Sequence, residues 1–238
     1  MNIALIFAGG VGSRMNSRAL PKQFLEIHGK PVIIHTLEHF ENHPDIDAIA
    51  VALISGWHEH FRSLLRRFEI TKVRWIVEGG ATGQASRHRV LQAVAEECDT
   101  DSIVLFHDGV RPLINEQLIS DNIEAVLAHG SAITCTKFNE TVTVVHDAQI
   151  TDVIPRDHIY AAQAPQSFRL GEILSLYDRA VADGEYDSID SCSLMQRYGR
   201  PIRAVEGPRS NIKVTTAEDF YVCRTFFELL ENQQIAGL

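Results

Sequence analysis

The run Ala8-Gly9-Gly10-Val11-Gly12-Ser13-Arg14-Met15, then Pro21-Lys22-Gln23, sets glycines and cations directly behind the apolar stretch Ile3-Ala4-Leu5-Ile6-Phe7. From Met1 to Leu25 there are three cations, Arg14, Arg18 and Lys22, and no Asp or Glu. The whole chain of 238 residues is acidic, with 22 Lys and Arg against 31 Asp and Glu, a net charge of −9. Glycines let backbone N–H groups approach phosphate oxygens, and cations neutralise them. A positive loop in a negative protein therefore asks for a polyphosphate, in the first instance a nucleotide. Gly10-x-Gly12 resembles the dinucleotide fingerprint, but Met15 stands at its third glycine position. The P-loop pattern fails as well, since no Gly-Lys-Ser/Thr closes the run.

Three later groups carry chemistry. Gly79-Gly80 ends the stretch 73–78 and precedes Ser86-Arg87-His88-Arg89; it reads as a surface for a flat base or as a plain strand-to-helix turn. His107-Asp108-Gly109-Val110-Arg111-Pro112 follows Ile103–Phe106, where ligands of open α/β sheets bind. Asp108 there suits Mg²⁺ or a ribose hydroxyl, or else a local ion pair with Arg111. Asn211-Ile212-Lys213-Val214-Thr215 precedes a capping pattern of Thr215 or Thr216 with Asp219. Lys213 is either a surface lysine or another cation aimed at the same pocket. A rival signal, His35-Thr36-Leu37-Glu38-His39, matches the inverted zinc-protease motif. Ile33, Leu37 and Phe40 make the apolar stripe of that helix, which turns both histidines toward water and makes the match a coincidence. His43, His58 and His60 are expected to be solvated too.

The elements that must position these groups alternate. Strands are predicted at 2–8, 47–54, 73–78, 102–107, 131–136 and 202–206. Helices are predicted at 31–42, 57–68, 84–97, 115–128, 170–182 and 216–231. This order implies one α/β domain over 1–238 with a mostly parallel sheet flanked by helices. The stretch 138–160 alternates instead, with Asp147-Ala148 as its turn, and predicts a β-arm. Such an arm cannot bury itself alone, so a second subunit is its expected cover. The acidic balance argues against nucleic-acid binding. No apolar run reaches the roughly 20 residues of a membrane span. Cys98, Cys135, Cys192 and Cys223 are scattered without a Cys-x-x-Cys pair, as expected of reduced thiols in a cytoplasmic protein.

Taken in order, Ala-Gly-Gly-Val-Gly-Ser-Arg-Met, Pro-Lys-Gln, His-Asp-Gly-Val-Arg-Pro, Ala-Pro-Gln-Ser-Phe and Asn-Ile-Lys-Val-Thr resemble the CTP-dependent cytidylyltransferases. Those enzymes act on 2-C-methyl-D-erythritol 4-phosphate or ribitol 5-phosphate. The resemblance spans essentially the whole chain. It implies a Rossmann-like core, a homodimer joined by the β-arm, and Mg²⁺. It implies that Ala8, Gly9, Gly10 and Gly12 wrap CTP while Arg14 and Lys22 stabilise its phosphates in the transition state. Gly79, Gly80, Ala81, Ser86 and Arg87 would face the cytosine. Asp108 would meet the ribose, the metal or the acceptor; Arg111 and Lys213 would meet the acceptor, with Lys213 countering α-phosphate charge opposite Lys22. Thr141 and Arg156 would reach the acceptor phosphate across the dimer. The chain departs from the family at Gly109, at Ala164 where most members have Thr, in a longer loop over Ala81–Arg89, and at Ile189-Asp190-Ser191-Cys192-Ser193. Gln163-x-Pro165-Gln166-Ser167-Phe168, Asp190-x-Cys192 and Ile154-Pro155 look more like the ribitol branch. The implied reaction is attack of an acceptor phosphate oxygen on the α-phosphorus of CTP. A phosphate is already ionised, so positioning and charge stabilisation suffice. A nucleotide-binding protein without catalysis and a zinc hydrolase are the alternatives from other classes.

Overall fold

The structure, a computed structural model, describes residues 1–9 and 20–236. Strand β1 (Asn2–Ala8) is followed by a short ribbon, β2 (Glu26–Ile27) and β3 (Lys30–Pro31), and by α1 (Val32–Asn42). Then β4 (Ala48–Leu53), α2 (His58–Arg67), β5 (Val73–Glu78), α3 (Gly83–Ala95), β6 (Ile103–Asp108), α4 (Glu116–His129) and β7 (Ser131–Lys137) alternate. A hairpin of β8 (Val142–His146) and β9 (Gln149–Ile154) precedes β10 (Tyr160–Arg169), α5 (Leu170–Ala182), α6 (Ser191–Arg197), β11 (Arg203–Glu206) and α7 (Ala217–Ala236). The main sheet runs β11-β7-β10-β6-β1-β4-β5. β1 pairs parallel with β4 and β6, β4 with β5, and β11 with β7. β10 runs antiparallel to both β6 and β7.

The central strands are apolar on both faces because both are covered. Ala4, Ile6 and Ala8 face a core with Ile33 and Leu37 of α1, Phe61 of α2 and Ile119 of α4. Ile3 and Leu5, pointing the other way, meet Val90 and Leu91 of α3 and Ile173 and Tyr177 of α5. A third cluster joins Ile27 and Val32 to Val110, Val214 and Cys223, seating α7 on the turn after β6.

The expected strands and helices are all present within a few residues. Sequence reasoning missed β10 and α6. The β-arm is a hairpin, and its turn residues Asp147 and Ala148 have φ 48° and 63°. Two successive left-handed residues form the turn whose twist matches a two-residue hairpin. Val145, Ile150 and Val153 on the arm are 54%, 65% and 55% exposed, so the chain does not cover its own hairpin.

Candidate active site

The carboxyl ends of β1, β4, β5 and β6 open onto one cavity of about 590 Å³. Phe7 and Phe106, edge-to-face at 5.6 Å, lie among its lining residues. Beyond Ala8 and Gly9 the chain returns through a single 3-10 turn, Lys22–Phe24. Gln23 is buried and its Nε2 donates to the Ala8 carbonyl at 2.7 Å, which latches the returning chain to the end of β1. That latch places Lys22 on the cavity wall, with Nζ donating to the Val214 carbonyl at 3.0 Å. Val214 N in turn donates to Val110 O at 2.9 Å. Gly10, Gly12 and Arg14 lie outside the described residues.

At the end of β6 the Asp108 carboxylate is shared. Its Oδ1 accepts from Lys213 Nζ at 2.7 Å and its Oδ2 from Arg111 Nε at 2.8 Å. Burial by itself would raise this carboxyl, but the two cations outweigh it and hold it well below the usual carboxylate range. Arg111 also donates from Nη1 to Asn211 O at 2.8 Å. The local ion pair foreseen as one reading of Asp108 and Arg111 is therefore present, and it extends to Lys213. Lys213 is no ordinary surface lysine. Lys22 bonds the same segment, Asn211–Thr215, that carries Lys213. Gly109 fits because a Cβ there would come within 3.3 Å of Ala8 Cβ and Phe7 O.

Across the cavity, Gly80 N donates to Ser86 Oγ at 2.9 Å, and Ser86 Oγ donates to Thr82 O at 3.0 Å. A Cβ on Gly80 would sit 2.6 Å from Ala85 Cβ and 2.9 Å from its backbone, so the first turn of α3 requires glycine here. Arg87 Nη2 donates to the carbonyls of Ser188 and Ile189 at 3.3 and 3.2 Å. Gln84 pins the same loop through Glu185 O and Ser188 N, both at 2.6 Å. Gly80, Ala81, Ser86 and Arg87 all line the cavity, while Gly79 continues the sheet by donating to Leu53 O at 2.8 Å. Thr141 and Arg156 do not reach it; both are exposed on or beside the arm.

The chain as a whole is similar to known proteins. Residues 2–228 match the family model described as IspD: 2-C-methyl-D-erythritol 4-phosphate cytidylyltransferase. The chain belongs to that family. It is thereby a cytidylyltransferase, a member of the nucleotidyltransferases. It is 48% identical over 239 residues to a ribitol-5-phosphate cytidylyltransferase of Streptococcus agalactiae serotype Ia, with each chain covered in full. A protein of the same name from Vibrio parahaemolyticus is also 48% identical over the full length of both. The crystal structure of 4-diphosphocytidyl-2C-methyl-D-erythritol synthase from Anaerococcus prevotii superposes with a TM-score of 0.82 at 29% identity, covering 95% of this chain and 96% of that one.

In this family member, several cavity residues escaped sequence reasoning. Gln23 and Thr82 act through backbone contacts that no pattern announces. Gln163, Gln166 and Asp190 stood in quoted motifs, but their roles emerge only in three dimensions. Gln166 Oε1 accepts from the N–H groups of Ser191 and Cys192 at 3.1 and 3.2 Å, and its Nε2 donates to Asp190 Oδ2 at 2.9 Å. Asp190 caps α6 through Ser193 N at 2.8 Å. Burial pushes its carboxyl up, and the hydrogen bonds from Ser193 and Gln166 bring it below its ordinary value.

Three of the histidines depart from expectation, while His60 is exposed as expected. His35 and His39 do not face water: their Nε2–H groups donate to the carbonyls of Ile27 and Pro112 at 3.0 and 3.1 Å. A carbonyl only accepts, so these nitrogens carry the protons. His35 also packs against Phe227 of α7 at 4.4 Å, and burial lowers both pKa values. His43 is buried, bonded to Ser120 Oγ. The contacts of His35 with Phe227 and of His39 with Pro112 dock α7 and the turn after β6 onto α1. Among the described residues no group of three His, Cys, Asp or Glu side chains converges as a metal site, and no helix is long and apolar enough to cross a membrane.

Proposed function

We propose that the chain transfers CMP from CTP to D-ribitol 5-phosphate, giving CDP-ribitol and pyrophosphate. One observation carries the chemistry: Lys213 and Arg111 hold the Asp108 carboxylate at the end of β6, and Lys22 on the cavity wall bonds the segment that carries Lys213. The described lining residues include no His or Cys, so the cavity is built for charge stabilisation rather than for a nucleophile and base. The acceptor assignment rests on the full-length relatives named for ribitol 5-phosphate, at 48% identity.

Gly80 and Ser86 hold the turn against which the cytosine packs. Asp108 fixes Lys213 beside the attacking phosphate, while Lys22 and Arg14 take the charge that builds as pyrophosphate leaves. Among the described residues two carboxylates line the cavity, and Asp190 is engaged in capping α6; so small a set of oxygen ligands fits a magnesium ion held chiefly by phosphate oxygens and water, not by a protein cage. Asp108 is the residue that would hold it, and the bound ion would neutralise phosphate charge. The exposed apolar arm supports a homodimer in which Thr141 and Arg156 of each arm reach the other subunit's acceptor. The cytoplasm suits the four free thiols.

The test supplies CTP and Mg²⁺ with a panel of polyol phosphates and measures pyrophosphate. Turnover led by ribitol 5-phosphate is expected. Preference for 2-C-methyl-D-erythritol 4-phosphate would replace the acceptor, and absence of pyrophosphate with every member would overturn the reading.

A further inference from the structure

We infer that Gln163 is a specificity-determining residue, whose side-chain amide donates to a hydroxyl of the acceptor's polyol chain. The inference rests on the reading of the cavity as a cytidylyltransferase site with a polyol phosphate acceptor.

Donor logic fixes the orientation of this amide. Asn211 Nδ2 lies 2.7 Å from the Ala164 carbonyl, and a carbonyl only accepts, so the NH₂ of Asn211 is on that side. The same NH₂ lies 3.3 Å from the terminal atom of Gln163, which must therefore be its oxygen. The Gln163 NH₂ is turned the other way and makes no hydrogen bond to any described residue. It is not sealed in the core either, because it is absent from the buried atoms that lack partners and Gln163 lines the cavity. The neighbouring polar groups differ. Gln166 spends both ends on Ser191, Cys192 and Asp190, and Asp190 is held by Ser193 and Gln166. Gln163 is thus a pre-oriented pair of N–H donors looking for an acceptor.

Its place in the sheet says which part of the reactants it meets. Along the carboxyl edge the order is β5, β4, β1, β6, β10. Gly80 closes β5, the phosphate-facing lysines gather at β1 and β6, and Gln163 stands on β10, one strand past Asp108. At about 4.8 Å per strand, β10 is roughly 19 Å from β5. The base therefore occupies one end of the cavity and Gln163 the other, across the site of phosphoryl attack. A flexible polyol offers hydroxyl oxygens there, and an amide held from behind donates to one at small entropic cost.

The test pairs Gln163→Met with acceptor analogues that lack one hydroxyl each. Gln163→Glu is a second variant, which keeps an oxygen for Asn211 but removes both donors. In wild type one deoxy analogue is expected to raise KM by roughly three- to tenfold, the worth of one neutral hydrogen bond. Both variants should show that rise with the parent acceptor, with the KM for CTP unchanged in Gln163→Met and melting temperature near wild type. The same deoxy substitution should then cost Gln163→Met nothing more. If the deoxy penalty persists undiminished in Gln163→Met, or if KM for CTP rises instead, the assignment falls. The cycle is run on whichever polyol phosphate wild type turns over, so a wrong acceptor identity and a wrong role for Gln163 give different results.

Discussion

Lys213 Nζ donates to Asp108 Oδ1 at 2.7 Å, joining the end of β6 to a segment 105 positions later. With Arg111 on the other oxygen, Asp108 has the geometry of an anchor that pre-sets two cations rather than that of a base. Pre-organised charges act on a transition state without reorganising when charge develops. Asp108→Asn is isosteric but gives Lys213 and Arg111 no counter-charge. It should lower kcat by roughly 10²–10³-fold, with a smaller change in KM for CTP. Steady-state kinetics decide this, and a loss confined to KM would reassign Asp108 to ground-state binding.

Lys22→Ala removes a cation from the cavity and one hydrogen bond to Val214 O. The Gln23 latch to Ala8 O remains, so the turn should stay folded. Lys22→Ala and Arg14→Ala are each expected to cut kcat by about two orders of magnitude or more while melting temperature moves little. Near-normal turnover by either variant would remove its role in charge stabilisation.

Buried His107 sets a pH limit on the fold. Its Nε2 donates to Arg111 O at 3.1 Å and its Nδ1 is buried without a partner. Burial pushes its pKa from 6.5 down to about 3. The unfolded chain therefore binds this proton from pH 6.5 downward, and the folded chain only near 3. Stability is full above 6.5 and falls by up to about 1.4 kcal/mol per pH unit as pH drops through the window between the two values. His35 and His39 are shifted the same way and add to the slope below 6.5. Asp108, with its pKa depressed, contributes stability that is lost only below its ordinary 3.8. Urea midpoints should fall on going from about pH 7.5 to about pH 5. His107→Gln, which keeps a donor for Arg111 O, should flatten the decline; an unchanged slope would place its origin elsewhere.

The sheet was legible because β1, β4 and β6 are continuous apolar runs between amphipathic helices. β10 was not, since Gln163, Pro165 and Gln166 break the pattern of a strand, although positions 163–168 are all buried. α6 is too short at seven residues to show a period. The misplaced His35 and His39 share one cause. The stripe Ile33, Leu37, Phe40 identifies one buried face of α1, but α7 and the turn after β6 cover a second, which a single-helix period does not encode. At the site, Lys213 was readable as a cation. Its pairing with Asp108 was not, because no local spacing links positions so far apart.

Gly80→Ala tests the turn at β5. The added methyl would come 2.6 Å from Ala85 Cβ, so either the turn or the first residues of α3 must move. Movement would stretch the 2.9 Å bond from Gly80 N to Ser86 Oγ. KM for CTP should rise more than KM for the acceptor. Equal effects on both would mean that the turn supports the cavity without facing the nucleotide.

The arm leads to a test of shared sites. Arg156 and Thr141 are exposed and lie off the cavity of their own chain, while Val145, Ile150 and Val153 leave an apolar side open. Burying such residues against a second copy is favourable, at about 25 cal/mol per Å² of apolar area. That contact would carry each Arg156 to the other subunit. Arg156→Ala should raise KM for the acceptor with little change for CTP. Mixing Arg156→Ala subunits with Arg14→Ala subunits should then restore activity above either parent, since some mixed dimers hold one site with both residues intact. An arm that served its own chain would give mixtures no more active than the average of the two.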